Sequence, residues 1–149
     1  MKGIVCKVCG HVVLSGNMPQ ECLVCHSPQK AFAASDMAIK DPVDRANMQD
    51  SEKKHTPDIK IVKQCGLIPD AGCIDAHVRV GIQLLHPMTP EHFIGWIDFY
   101  LNKTFAGRMM LKPSVNPAGA VHLKKDAAGT LTAVAWCNQH GTWMNEVKI

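Results

Sequence analysis

The sequence lacks any apolar run near the roughly 18 residues of a membrane span. A helix-anchored membrane protein is therefore not expected. It also lacks an excess of charge of one sign. Lys and Arg number 16 against 13 Asp and Glu, and the resulting +3 is dispersed along the chain. No basic patch of the kind that nucleic acid requires is present. The opening MKGIVCKVCG has no apolar core of a secretion signal, and a cysteine motif begins at once. A reducing, cytoplasmic setting is the expectation. Aromatic residues are scarce at 5%, yet the hydrophobic fraction is 46%, which belongs to a folded chain. A length of 149 residues suits one domain or two small ones.

Cysteine and histidine are abundant, at seven and eight residues. Four cysteines form two CxxC pairs, Cys6/Cys9 and Cys22/Cys25, and Cys65, Cys73 and Cys137 follow. An odd count without a secretion signal favours metal binding over a disulfide framework. The histidines His55, His77, His86, His92, His122 and His140 lie after the CxxC region, and only His11 and His26 lie within it. A thiolate-rich start and an imidazole-rich remainder predict two different metal sites.

Residues 1–34 hold too few large apolar side chains to fold without a staple, which a tetrathiolate metal would supply. Residues 35–51 are polar and aperiodic and read as a linker, with one helical turn near Asp44–Gln49. Residues 52–149 form the second domain. From Asp58 the pattern is β: segments 59–62, 76–82, 92–101, 107–113, 120–125 and 130–137 are strand-like and mostly separated by Gly, Pro, Asn or Asp. No long amphipathic helix covers a parallel sheet. A mainly β fold, an antiparallel sandwich or barrel, is predicted.

Two CxxC turns can present four thiolates to one tetrahedral ion, and zinc and a single iron both accept that set. By spacing alone a structural zinc ribbon is favoured. The stretch VCKVCGHVVLSGNMPQECLVCHSPQKAF resembles the rubredoxin-like domain at the C-terminus of rubrerythrins, through Val5-Cys6, Cys9-Gly10, Val12, Gly16, Pro19, Cys22, Cys25, Pro28 and Phe32. The resemblance implies one iron on Cys6, Cys9, Cys22 and Cys25 that carries a single electron. It departs at His11, where Tyr is usual, and at Leu23, where Pro often follows the third cysteine. Four cysteines complete the shell, so His11 and His26 are expected on the surface or in support of the ligands.

In the second half, His86-Pro87-Met88-Thr89-Pro90-Glu91-His92 and Cys137-Asn138-Gln139-His140 are the notable motifs. CxxH on a turn lets thiolate and imidazole bind one ion, and two further histidines can close on it from another loop. Such a set suits iron, copper or zinc, and more than four ligands would point to iron. With Glu52-Lys53-Lys54-His55-Thr56-Pro57, these motifs resemble the catalytic domain of superoxide reductases, the desulfoferrodoxin and neelaredoxin family, from about residue 52 to 145. The resemblance implies an immunoglobulin-like β-sandwich and one iron with His55, His86, His92 and His140 equatorial and Cys137 axial. It implies that superoxide, one electron and two protons become hydrogen peroxide. It also implies that Lys54 serves the anion, that an external donor such as a rubredoxin supplies electrons, and that the chain forms a homodimer or homotetramer. The family's glutamate, which can bind the oxidised iron at its sixth position, directly precedes its lysine, whereas here Lys53 intervenes. Glu52, one residue earlier, is the catalytic candidate if the loop carries a one-residue insertion, and outright loss of that ligand is the alternative. The first iron is then a candidate relay to the second. An electron carrier without turnover and a zinc-ribbon binding module are the rival readings.

Among the remaining residues, His77 and His122 are expected as ordinary strand or surface residues, and Trp96, Trp136 and Trp143 as core or site-lining packing. Cys65 and Cys73 flank a turn and are expected as reduced, partly buried thiols, with a disulfide between them as the alternative reading.

Overall fold

Apolar and β-branched residues at alternate positions give this chain its strands. The fold is mainly β, with 45% strand and 6% helix. The structure, a computed structural model, describes every residue except 64–65 and 69–71. Cys65 therefore lies outside the described residues.

Strands β1 (Gly3–Cys6), β2 (Val12–Val13) and β3 (Phe32–Ser35) form a small antiparallel sheet in the order β2-β1-β3. Seven strands follow a short helix, α1 (Asp50–His55): β4 (Pro57–Val62), β5 (Cys73–Val80), β6 (Ile94–Leu101), β7 (Thr104–Met110), β8 (Ala118–Lys124), β9 (Thr130–Cys137) and β10 (Gly141–Lys148). They make two antiparallel sheets, β10-β9-β6-β7 and β4-β5-β8. Ile74, Ala76, Val78 and Val80 of β5 meet Ile97 and Phe99 of β6 and Leu131, Ala133, Ala135 and Cys137 of β9 in the core between the sheets. Two antiparallel sheets face to face are the sandwich that the sequence predicts.

Strand β6 is buried on both faces. Its second face, through Trp96 and Tyr100, joins Val134 and Met144 under Val12, Ala38 and Ile39 of the N-terminal segment. A buried polar knot ties the same contact. Asp98 receives two bonds from the Arg108 guanidinium and faces His11 Nδ1 at 3.2 Å, while Arg108 Nη1 donates to Cys9 O at 2.7 Å. Of the two places expected for His11, the surface is excluded: its ring is buried between the N-terminal segment and β6, where Asp98 gives it a partner. His26 is exposed beside Glu21.

Residues 35–51 run along the sandwich. Ile39 and Met48 are buried, and Lys40 pairs with the edge of β10 through Lys40 N to Thr142 O and Met144 N to Lys40 O. The helical turn expected near Asp44–Gln49 forms instead at Asp50–His55. The reason is a capping box: Gln49 and Glu52 bond each other's backbone N–H groups, so the helix starts after Gln49. Strand β10, which was not among the predicted segments, adds the edge of the larger sheet.

Candidate metal centres

The first centre sits on two turns. Gly10, at φ +74°, lets the chain reverse after Cys9, and its N–H donates to Cys6 O at 2.8 Å. The second turn repeats the bond from His26 N to Cys22 O at 2.9 Å. Cys6 Sγ lies 3.7 Å from Cys25 Sγ, and Cys9 Sγ lies 3.6 Å from Cys22 Sγ. A regular tetrahedron with bonds of about 2.3 Å to sulfur has edges of about 3.8 Å. The four sulfurs are therefore set for one ion. Backbone N–H groups of His11, Val24, Cys25 and Ser27 point at these sulfurs and favour thiolate. Burial raises the pKa of Cys9 and Cys22, whereas the Ser27 hydroxyl beside Cys25 lowers that thiol to about 6.

The second centre is built at one end of the sandwich. Helix α1 ends on His55, and the loops after β5 carry His86 and His92. Strand β9 ends on Cys137 at its core-facing edge, and the turn into β10 carries His140. Bonds from Ile82 N to Lys53 O and from Gly81 N to Thr56 O fasten the loop after β5 to α1. His86 is held by its N–H to Val80 O, and Thr89 closes a tight turn onto His92.

Neighbouring imidazoles form a ring in the order His55, His86, His92, His140. Their centroids are 4.7, 4.5, 4.8 and 4.5 Å apart around it, and the His55–His92 diagonal is 5.8 Å. Donor atoms of His55, His86, His92 and Cys137 lie within 4.8 Å of one another. His140 Nδ1 lies 3.0 Å from His55 Nε2, 3.1 Å from His92 Nε2 and 3.5 Å from Cys137 Sγ. All five predicted ligands are thus brought together.

The protonation pattern fits a cation. His55 Nδ1 donates to Ser51 O and His86 Nδ1 to Pro87 O, each at 2.6 Å, which leaves Nε2 of both rings as the lone-pair nitrogen. His86 Nε2 is then a buried polar atom with no hydrogen-bond partner. Such an atom is costly unless something else, such as a metal, takes the lone pair. Burial, reinforced by the neighbouring imidazoles, lowers the pKa of His55 and His86 to about 4 and lowers that of His92 too, so these rings are neutral donors. The set of four imidazoles and one buried thiol fits a borderline transition ion such as iron.

Around the ring, Trp143 stacks on His55 at 5.2 Å. Lys40 Nζ and Trp143 Nε1 both donate to His140 O. Sequence reasoning missed Lys40, because its contact joins positions 100 residues apart. Lys54 is exposed, and its charge is one cause of the lowered His92 pKa. The Glu52 carboxylate accepts the Gln49 N–H at 2.7 Å as a helix cap, and no hydrogen bond joins it to the imidazoles among the described residues. Asn138 N–H donates to Phe93 O, so the first amide after Cys137 is used to fix the loop rather than to modulate sulfur. His77 is exposed on β5 as expected, while His122 joins Cys73 and Asp75 in a further cluster.

Comparison with known proteins gives the same picture. The desulfoferrodoxin family model matches residues 47–146. A superoxide reductase of Pyrococcus abyssi is 33% identical over 107 residues, which cover 65% of this chain and 88% of that protein. A desulfoferrodoxin of Syntrophotalea carbinolica is 31% identical over 143 residues, 95% of this chain and 92% of that protein. The solved superoxide reductase (neelaredoxin) of Ignicoccus hospitalis is 28% identical, with a TM-score of 0.58 over 74% of this chain and 93% of that one. Because the family model spans the whole ring of ligands and one relative aligns with almost the entire chain, this chain belongs to the desulfoferrodoxin family.

Proposed function

We propose that this protein is a superoxide reductase, with iron held by His55, His86, His92, His140 and Cys137. The observation that carries the reading is the ring of four imidazoles closed by the buried Cys137 sulfur. Iron held there would supply one-electron chemistry and Lewis acidity toward a small anion. The balanced reaction takes one superoxide, one electron and two protons to one hydrogen peroxide, without release of dioxygen.

The chain's own groups contribute in distinct ways. His55 and His86 are fixed in one tautomer by their carbonyl partners, so no reorganisation is needed to keep them as donors. His92 and His140 are only partly covered, which leaves the ring accessible from solvent. The cationic Lys54 and Lys40 flank it and raise the local concentration of an anion. Lys54, exposed near His92, is also the group able to organise a water that delivers a proton. Glu52 is assigned to the helix cap.

Cys6, Cys9, Cys22 and Cys25 are proposed to hold a second iron that passes electrons to the first, with a rubredoxin-like protein as the external donor. The test is anaerobic reduction followed by a superoxide pulse, with peroxide and dioxygen both measured. One peroxide per superoxide and no dioxygen is expected. Half a peroxide per superoxide, with dioxygen, would show a dismutase, and no reaction would leave an electron carrier or a structural module.

A further inference from the structure

We propose a third metal site, for a divalent ion of the zinc class, on the outer face of the β4-β5-β8 sheet, with Cys73, Asp75 and His122 as its ligands. Strand alternation brings them together. Ile74, Ala76, Val78 and Val80 point into the core, so Cys73, Asp75 and His77 share the opposite face of β5. Asp75 is the direct cross-strand partner of His122 on β8. The Asp75 Oδ1 is 2.8 Å from His122 Nδ1 and 3.1 Å from Cys73 Sγ, and Cys73 Sγ is 3.5 Å from His122 Nδ1.

The geometry favours an ion over a catalytic relay. A thiol-imidazole-carboxylate relay uses the two ring nitrogens separately, one for each partner. Here both sulfur and carboxylate face the same nitrogen, Nδ1. Convergence of three donors on one point is the arrangement of a ligand set. Two of the three spacings, 3.1 and 3.5 Å, fall in the 3.0–3.7 Å range of neighbouring donors in the other two centres, and the Asp75–His122 contact is closer at 2.8 Å.

The donor types select the ion. A thiolate disfavours calcium and magnesium, which take oxygen ligands. One thiolate, one carboxylate and one neutral imidazole carry two negative charges, which balance a divalent cation. Zinc accepts sulfur, nitrogen and oxygen together, and the described residues supply three such ligands here. Binding requires the Cys73 thiol to release its proton to solvent. Cys73 itself is buried, whereas His122 is at the surface, so the ion enters from the His122 side. His77 Nε2, 3.8 Å from Asp75 Oδ2, lies beside the carboxylate oxygen that the ligand set does not use.

The experiment titrates Co2+ into the full chain with both other centres loaded with iron. Cobalt reports a thiolate ligand through a near-ultraviolet charge-transfer band. One further equivalent that develops the band is expected, followed by displacement with Zn2+. Cys73→Ser should abolish the band and leave the visible absorption of both iron centres unchanged. Loss of a group that merely supports a ligand costs about 10–100-fold in metal affinity. Asp75→Asn and His122→Ala remove ligands and should weaken Co2+ by at least that much. His122 is exposed, so its variant decides the question even if Cys73→Ser does not fold. Absence of the band in the unaltered protein would overturn the site and leave a hydrogen-bonded ion pair with a thiol. A band that survives Cys73→Ser, or an affinity unchanged in His122→Ala, would overturn it equally.

Discussion

At the scale of single residues, Cys137 and His86 make the strongest demands on a metal. Both are buried, and His86 Nε2 has no hydrogen-bond partner. Cys137→Ser replaces a soft thiolate with a hard, poorly acidic hydroxyl. The expected outcome is loss of the thiolate-to-iron absorption of the His-rich centre, with the tetracysteine absorption unchanged. An unaltered visible spectrum would contradict the assignment of Cys137 as ligand. The two lysines act differently, because neither is a ligand. Lys54→Ala should slow superoxide consumption about tenfold at low salt and flatten its dependence on ionic strength, as loss of a steering charge does. Stopped-flow rates at several salt concentrations measure this. The five candidate ligands and Lys54 could be singled out in the sequence because the motifs that carry the family resemblance are local: His86 to His92 and CxxH each hold two donors within a few residues. Lys40 was not legible, since only the pairing of its segment with β10 brings it to His140.

At the scale of elements, the strands were readable wherever one face is apolar. Strands β4 to β9 all fall within or beside segments that alternate or run apolar. Strand β10, Gly141–Lys148, mixes Thr, Asn, Glu and Lys among its apolar residues, and its pairing with β9 overrides that weak pattern. The position of α1 escaped for a related reason. Its start is fixed by the Gln49/Glu52 capping box, and the polar residues before it show no helical period. The loop from β5 to β6 gives this scale its own prediction. Gly81 sits at φ +108°, and a Cβ there would lie 2.1 Å from Leu84 O. Positive φ alone costs a side chain about 1–3 kcal/mol, and the backbone clash adds to it. Gly81→Ala should therefore displace the loop that carries His86. Lower thermal stability and lost iron at the His-rich centre, with the tetracysteine iron retained, are expected from calorimetry and metal analysis.

At the scale of the whole molecule, the N-terminal segment and the sandwich are joined by a buried interface in addition to the chain. Asp98 is fully buried and its partner Arg108 nearly so. Removing one member of such a pair leaves an uncompensated charge, which costs about 3–5 kcal/mol. Arg108→Ala should lower stability by about that amount and loosen the first CxxC turn, whose Cys9 carbonyl loses its donor. Denaturant unfolding followed at both iron centres would show it. None of this contact was visible in the sequence, because it joins Asp98 and Arg108 to His11 and Cys9, 87 and 99 positions away.

The same interface frames the route between the two centres. The Gly10 turn lies against the Trp96 ring, so closely that a Cβ added at Gly10 would be 3.3 Å from it. Trp96 stacks on Trp136 at 6.4 Å and 11°, and Trp136 directly precedes Cys137. Arg108 covers the other aspect of Trp96 at 3.9 Å. A continuous path of packed groups thus leads from Cys9 to Cys137. Spatial continuity alone is not coupling, so the test must separate transfer from chemistry. Trp96→Leu keeps an apolar group in the interface but removes the ring that bridges Gly10 and Trp136. If the tetracysteine iron feeds the second centre along this path, its reoxidation after a superoxide pulse should slow, while the first turnover of the prereduced His-rich centre keeps its rate. Equal reoxidation in both proteins would mean that electrons reach the His-rich centre by another path, from an external donor or from a second chain.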